Sequence, residues 1–298
     1  WHLAHISATK ALTLAQEYAL ETPLVAVLDT GVQLDHPDLA GNMHHAGYDA
    51  VPDSWDGMDT KGAPYPSCGR NSHGTAVAGI VAASNNDQGA TGVAADSARI
   101  IPVRVIYQKR SNCALDNLWV SHDLHQVVME NVWLSDGIAW ATEEGADVIN
   151  LSVQEDFPSA VVREALGYAH RSGAFVAASA GNEFTRGIVS PASSRYAMAV
   201  GATDREDESC DYSCFGPLME ISAPGKYIHT TDTEGGYRPD FGGTSAAAPQ
   251  VAAAAALMTA VRPDITPQQV RYILQRTATR VPAYTFDERA DEGGFNDQ

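Results

Sequence analysis

The chain is short of basic residues. Its 19 Lys+Arg stand against 37 Asp+Glu, a formal net charge of -18. A surface so acidic repels phosphate backbones, so no nucleic-acid partner is expected, whereas cationic substrates and divalent metals are favoured. Long apolar runs are missing too. The longest, VAAAAALM at 251–258, falls short of the ~20 residues of a bilayer-crossing helix, and no membrane partner is expected. The opening WHLAHISATK lacks a charged segment followed by an apolar one. It does not read as a signal peptide, and a mature form after leader removal is the expectation. Cysteine is scarce, with only Cys68, Cys113, Cys210 and Cys214. Four cysteines allow three pairings; Cys68–Cys113 with Cys210–Cys214 is preferred, with free buried thiols as the alternative. Internal repeats, linkers and composition breaks are also lacking. One domain over 1–298 is expected, with the acidic tail from about 285 to 298 as a mobile end.

What is present is a globular composition, 44% hydrophobic. Apolar runs at 24–29, 99–106, 147–152, 174–179 and 198–203 are rich in Val, Ile and Ala and do not alternate. That pattern predicts strands buried on both faces, as in a parallel sheet. Helices are predicted at 74–83, 134–145, 160–173, from Ser245 to about Ala260, and at 266–278. Gly173 is a candidate C-cap, Thr266 an N-cap and Pro267 a first-turn residue. Strand–helix alternation predicts a three-layer α/β fold with a mainly parallel sheet flanked by helices.

Ligands of parallel sheets bind beyond the carboxyl ends of the strands. Asp29 closes the first strand in VLDTG, where it is either a turn aspartate or a buried carboxylate that needs a partner. His73 opens a small-residue helix in NSHGTAVAG. Asn182 follows a buried strand in VAASAGNEF, as a turn residue or an amide donor. Ser245 lies in GGTSAAAPQV, as a helix-start serine or as a nucleophile where backbone N–H groups favour developing negative charge. Together they supply an acid, a base, a nucleophile and a separate amide donor, the parts of an acyl-transfer site.

The segments VLDTG, SHGTAVAG, SAGN and GGTSAAAP, in that order, resemble the signature segments of the subtilisin-like serine proteases, the subtilases. The likeness runs from about residue 6 to 278, and WHL, KYIHTTD and GGTSAAAP resemble the kexin/furin branch. The resemblance implies a serine endopeptidase in which Ser245 attacks the scissile carbonyl. His73 would shuttle the proton, Asp29 would orient His73, and Asn182 would donate to the oxyanion. It implies that substrate lies along Ser152, Val153 and Gln154, with Glu155 and Glu183 beside the pocket and a basic P1 residue preferred. Gln154 departs from the glycine usual near there. Thr30 stands where kexin-like enzymes carry a second acid, so dibasic processing is not implied.

The resemblance also implies structural calcium, held by the side chains of Asp38 and Asn86 and the carbonyls of Ser84, Gln88 and Ala90. Peptide or protein substrates, a propeptide acting as inhibitor or chaperone, and an extracellular, secreted setting complete the expectation. The segment 107–133 is expected to cover a wall of the cleft, with His122, Asp123 and His125 as surface residues or a metal site. Two other readings stay open. One is a transpeptidase or macrocyclase, in which an amine replaces water. The other is an inactive binding module, against which the intact Asp29, His73, Asn182 and Ser245 argue.

Overall fold

A computed structural model of the chain describes residues 1–52, 72–108, 127–155 and 157–280. Cys68, Cys113, Asp156, His122, Asp123, His125 and the tail at 285–298 lie outside the described residues. The chain opens with helices α1 (His2–His5) and α2 (Ala8–Tyr18) and strand β1 (Leu24–Asp29). There follow β2 (Tyr48–Asp49), α3 (His73–Ala82), β3 (Arg99–Arg104), β4 (Tyr107–Gln108), β5 (Val127–Val128) and α4 (Asn131–Glu143). Next are β6 (Val148–Leu151), α5 (Ala160–Arg171), β7 (Phe175–Ser179), β8 (Met198–Thr203) and β9 (Ile221–Pro224). The last elements are β10 (Ile228–Thr231), β11 (Tyr237–Phe241), α6 (Thr244–Val261) and α7 (Pro267–Thr277).

Seven strands form one sheet in the order β2-β3-β1-β6-β7-β8-β9, with every pairing parallel. In β1, Val25 and Val27 face one core while Ala26 and Leu28 face the other. Burial on both faces is why the strands read as unbroken apolar runs. The first core is closed by α2, α3, α6 and Val270 of α7, the second by α4 and α5. This is the expected three-layer α/β fold, and each predicted strand and helix is present with its ends shifted by at most a few residues. Gly173 has φ 97°, as its C-cap role requires. Thr266 and Gln269 form a reciprocal capping box with Pro267 at the first helical position.

Three findings depart from the sequence reading. Helix α2 was not predicted; it buries Ala8, Leu12 and Ala15, a helical stripe, in the core shared with α6. Helix α6 spans 18 residues and by length and apolarity could cross a membrane, yet most of it is buried within the protein. The Cys210–Cys214 pairing is not formed, and both are free, buried thiols. Each sulfur has its own surroundings. Cys214 Sγ lies 3.4 Å from Glu183 Oε2 and 3.4 Å from Thr185 Oγ1, whereas Cys210 packs into the α6 core, where burial raises its thiol pKa.

Candidate active site

Asp29 is the last residue of β1 and is wholly buried. A carboxylate out of water is costly unless donors surround it. The Thr30 amide donates to its Oδ1 at 2.7 Å, and His73 Nδ1 lies 2.8 and 2.9 Å from its two oxygens. An Nδ1–H facing the carboxylate leaves Nε2 as the free acceptor of the ring. Thr30 Oγ1 accepts from the Gly74 amide at 3.0 Å and so ties the loop after β1 to the first turn of α3. Gly74 makes this approach possible, because a Cβ there would lie 2.1 Å from the Gly31 carbonyl oxygen. Gly31 and Gly243 are the true turn glycines, with φ of 96° and 99°.

The His73 side chain is 34% exposed, and its ring meets Phe241 edge-on at 5.4 Å. Burial pulls the imidazole pKa down, but the charge and hydrogen bond of Asp29 outweigh it. Arg238 opposes them weakly, and the net pKa is raised. His73 is therefore a stronger base than a free imidazole and is held in one tautomer.

Ser245 sits in the first turn of α6, which packs against α3. Asn182, on the loop after β7, accepts through Oδ1 from the Thr244 amide at 2.9 Å and from Thr244 Oγ1 at 3.0 Å. With Oδ1 occupied, Nδ2 is the group left to donate. A Cβ built on Gly243 would lie 3.4 and 3.5 Å from Asn182 Oδ1 and Nδ2 and 3.6 Å from the Ser245 amide nitrogen, so the Asn182 amide and the Ser245 N–H are near neighbours at the helix N-terminus. Tyr212 braces this loop: its hydroxyl donates to the Gly225 carbonyl at 2.6 Å and accepts from the Gly243 amide at 3.1 Å. Among the described residues no hydrogen bond joins Ser245 Oγ to His73; such contacts commonly tighten only with substrate in place.

Pro249 lies inside α6, past its first turn, so it removes a bond of the helical ladder. The carbonyl it leaves without a donor is that of Ser245, four residues back. Ser152 Oγ donates to that carbonyl at 3.0 Å and itself accepts from Asn150 Nδ2 at 3.0 Å. The end of β6 is thereby pinned to the backbone of Ser245. Val153 is buried, with Ser179 Oγ on its carbonyl at 3.4 Å, and Gln154 is exposed.

The two acids assigned to the pocket differ. Glu183 folds back: its Oε2 accepts from the Asn182 amide at 3.0 Å and lies beside Cys214 Sγ. Glu155 is buried, and its amide donates to the Ser190 carbonyl at 2.8 Å. Its Oε2 takes the Ser190 hydroxyl, while Oε1 has no partner among the described residues. Burial raises the Glu155 pKa, against the Ser190 hydroxyl and the Ser159 amide, which favour the anion.

Asp38 is buried; Oδ1 accepts from Asn86 Nδ2 at 2.9 Å and Oδ2 from the Ala90 amide at 3.0 Å. The Ser84 amide donates to the Asp38 carbonyl at 2.8 Å. Among the described residues, the carbonyls of Ser84, Gln88 and Ala90 accept no hydrogen bond. A buried carboxylate beside unused carbonyl oxygens is a donor set suited to a hard cation. Asn86 departs from the expectation, because its oxygen accepts from the Gln88 amide at 3.0 Å and its nitrogen faces Asp38. Turning the amide over would present the oxygen.

Sequence reasoning missed Thr30, Thr244, Phe241, Ser190 and Tyr212. The first two adjoin Asp29 and Ser245 in the motifs themselves, and that adjacency was the available signal. Phe241 ends β11 directly before the GGTSAAAPQV motif, whereas Ser190 and Tyr212 arrive from distant loops and left no signal.

A model of the Subtilase family matches residues 21–295. Among curated proteins, the chain is 36% identical over 260 residues to a thermophilic serine proteinase of Bacillus sp. (strain AK1), covering 86% of this chain and 56% of that one. It is 33% identical to thermitase of Thermoactinomyces vulgaris, covering 86% and 81%, and 36% identical to subtilisin of Bacillus pumilus, covering 92% and 90%. Thus the chain spans little more than half of the first relative's length and most of the other two. Among solved structures, a protease from Pseudoalteromonas arctica PAMC 21717 superposes with a TM-score of 0.74 at 28% identity, covering 91% of this chain and 87% of that one. A cold-adapted subtilisin-like serine proteinase superposes with a TM-score of 0.69 at 27% identity, covering 87% and 83%. Matched in sequence over nearly its whole length and in fold over most of it, this chain belongs to the subtilase family of serine endopeptidases.

Proposed function

We propose that the chain hydrolyses internal peptide bonds through an acyl-enzyme on Ser245. The observation that carries this reading is the pairing of buried Asp29 with His73 Nδ1, at 2.8 and 2.9 Å, on a helix packed against the one that bears Ser245. His73 Nε2 takes the Ser245 Oγ proton as Oγ bonds to the scissile carbonyl carbon. The carbonyl oxygen becomes an anion and receives Asn182 Nδ2–H and the Ser245 amide. Collapse breaks the C–N bond, and His73 hands its proton to the leaving amine. Water then repeats the sequence, which releases the acid and restores the Ser245 hydroxyl. Asp29 stabilises the imidazolium in both halves.

The preference for a basic P1 residue is assigned to Glu155, whose Oε1 is buried and unpartnered among the described residues. Glu183 is spent on Asn182 and Cys214. Of the kexin-like features in the sequence, this preference alone is retained. Calcium, bound by Asp38 with the carbonyls of Ser84, Gln88 and Ala90 and with Asn86 turned over, would cross-link the loop after α3 and take no part in bond cleavage.

A peptide library digested by the chain and by its Ser245→Ala variant, read by mass spectrometry, tests this. Cleavage after Lys or Arg that is lost in the variant is the expected result. No Ser245-dependent cleavage overturns the endopeptidase reading. Ser245-dependent cleavage after apolar residues overturns the role of Glu155 alone.

A further inference from the structure

Away from the Ser245 centre, three metal-ligating side chains meet. His44 and His45 lie between α2 and α3, just before β2, and Glu144 caps the C-terminus of α4. One ligand atom from each of the three falls within 4.8 Å of the others. The two imidazole rings are 4.0 Å apart, centroid to centroid, and tilted by 42°. Rings this close do not both carry a proton charge without strong repulsion. The cluster thus presents two imidazoles and one carboxylate, a His₂Glu donor set.

Both supports are firm. The His44 amide donates to the Ile100 carbonyl of β3 at 2.8 Å, and Tyr48 of β2 stacks on Trp140 of α4 at 5.1 Å, one helical turn before Glu144. The Ala46 amide reaches His44 Nδ1 at 3.3 Å, a contact long enough to yield to a metal. Carbonyls at the end of α4 and the net charge of -18 both favour a cation here.

We infer that His44, His45 and Glu144 bind a borderline divalent transition metal, of which zinc is the type case, and that this metal staples the β2–β3 edge of the sheet to α4. Two imidazoles and one carboxylate select such an ion over calcium, which takes oxygen ligands. Three protein ligands leave a fourth position for water. The role is structural. Ile100 and Arg104, the residue paired with Asp29, are four apart in β3, roughly 13 Å along the strand.

The test uses the full chain as its Ser245→Ala form, which prevents self-digestion, stripped of metal and titrated with zinc chloride or cobalt chloride. One equivalent of zinc should remain bound after gel filtration. It should raise Tm by on the order of 5 °C at a hundredfold excess over Kd. Cobalt should give visible d–d bands of a low-coordinate site. His45→Ala, at an exposed position, should abolish all three signals, and Glu144→Gln should weaken binding at least tenfold. Addition of calcium should still raise Tm in both variants. If either variant keeps the full zinc stoichiometry and Tm rise of the parent, the assignment is overturned.

Discussion

At the scale of single residues, His73 and Asn182 each have one feature that sets their chemistry. The Asp29 carboxylate raises the His73 pKa above its ordinary 6.5. Catalysis needs the free base, so kcat/KM should fall as pH drops through a value above 6.5, and Asp29→Asn should move that limb to lower pH. The same substitution should reduce kcat by on the order of 10⁴-fold, because the ring loses its tautomer and its counter-charge. An acid limb that stays in place in Asp29→Asn would refute the coupling. Stability follows with the opposite sign. A pKa raised by folding stabilises the protein below pH 6.5, and that contribution is lost as pH rises through the folded value. Tm of the Ser245→Ala chain should therefore decline across that window, and less so once Asp29 is also Asn. For Asn182, Oδ1 is occupied by Thr244, so the amide cannot turn over. Asn182→Leu should cost about 10²–10³ in kcat with little change in KM. Thr244→Val, which removes one of the two bonds, should cost less and again act on kcat. A loss confined to KM in either variant would mean that the amide serves substrate binding instead.

At the scale of elements, the centre depends on contacts between segments that are distant in sequence. Pro249 withholds an amide from the Ser245 carbonyl, and Ser152 Oγ supplies the missing donor. Ser152→Ala should therefore lower stability by about 1–3 kcal/mol, the usual cost of a buried acceptor left alone. Pro249→Ala should recover part of that loss in the Ser152→Ala background, since the helical amide returns. Strictly additive effects on Tm in this double-mutant cycle would show that the two residues do not share the carbonyl. The same distinction explains what was legible in the sequence. Strands β1, β6, β7 and β8 carry their burial as apolar runs, so the fold could be read, and Asp29, His73, Asn182 and Ser245 sit at element ends within short motifs, which made them candidates for the site. Cys210 and Cys214 could not. Their spacing permits a disulfide, and only the tertiary placement of Cys214 beside Glu183 and Thr185 shows that none forms. Glu155 and Glu183 looked alike in sequence for the same reason. Ser190, from the loop after β7, determines that one is anchored and half-satisfied, while Asn182 and Cys214 consume the other.

At the scale of the whole molecule, the -18 charge makes compactness a matter of counter-charge. Two kinds of cation effect should be separable. Monovalent salt screens exposed carboxylates over a Debye length of about 8–10 Å near physiological strength, but it screens a buried group far less. Asp38 is buried, beside carbonyls that accept no hydrogen bond among the described residues. Removing calcium with a chelator should lower Tm of the Ser245→Ala chain, and added sodium chloride should restore only the part that comes from surface repulsion. Calcium should restore the rest, and Asp38→Asn should eliminate that response while leaving the sodium effect intact. Differential scanning calorimetry at fixed pH reads both. If sodium chloride alone recovers the full transition temperature, the loop after α3 holds no calcium and the metal dependence is only charge screening. If calcium is required, the site is a local clamp that stabilises one loop near α3, and the acidic surface contributes through concentration of the ion around the molecule.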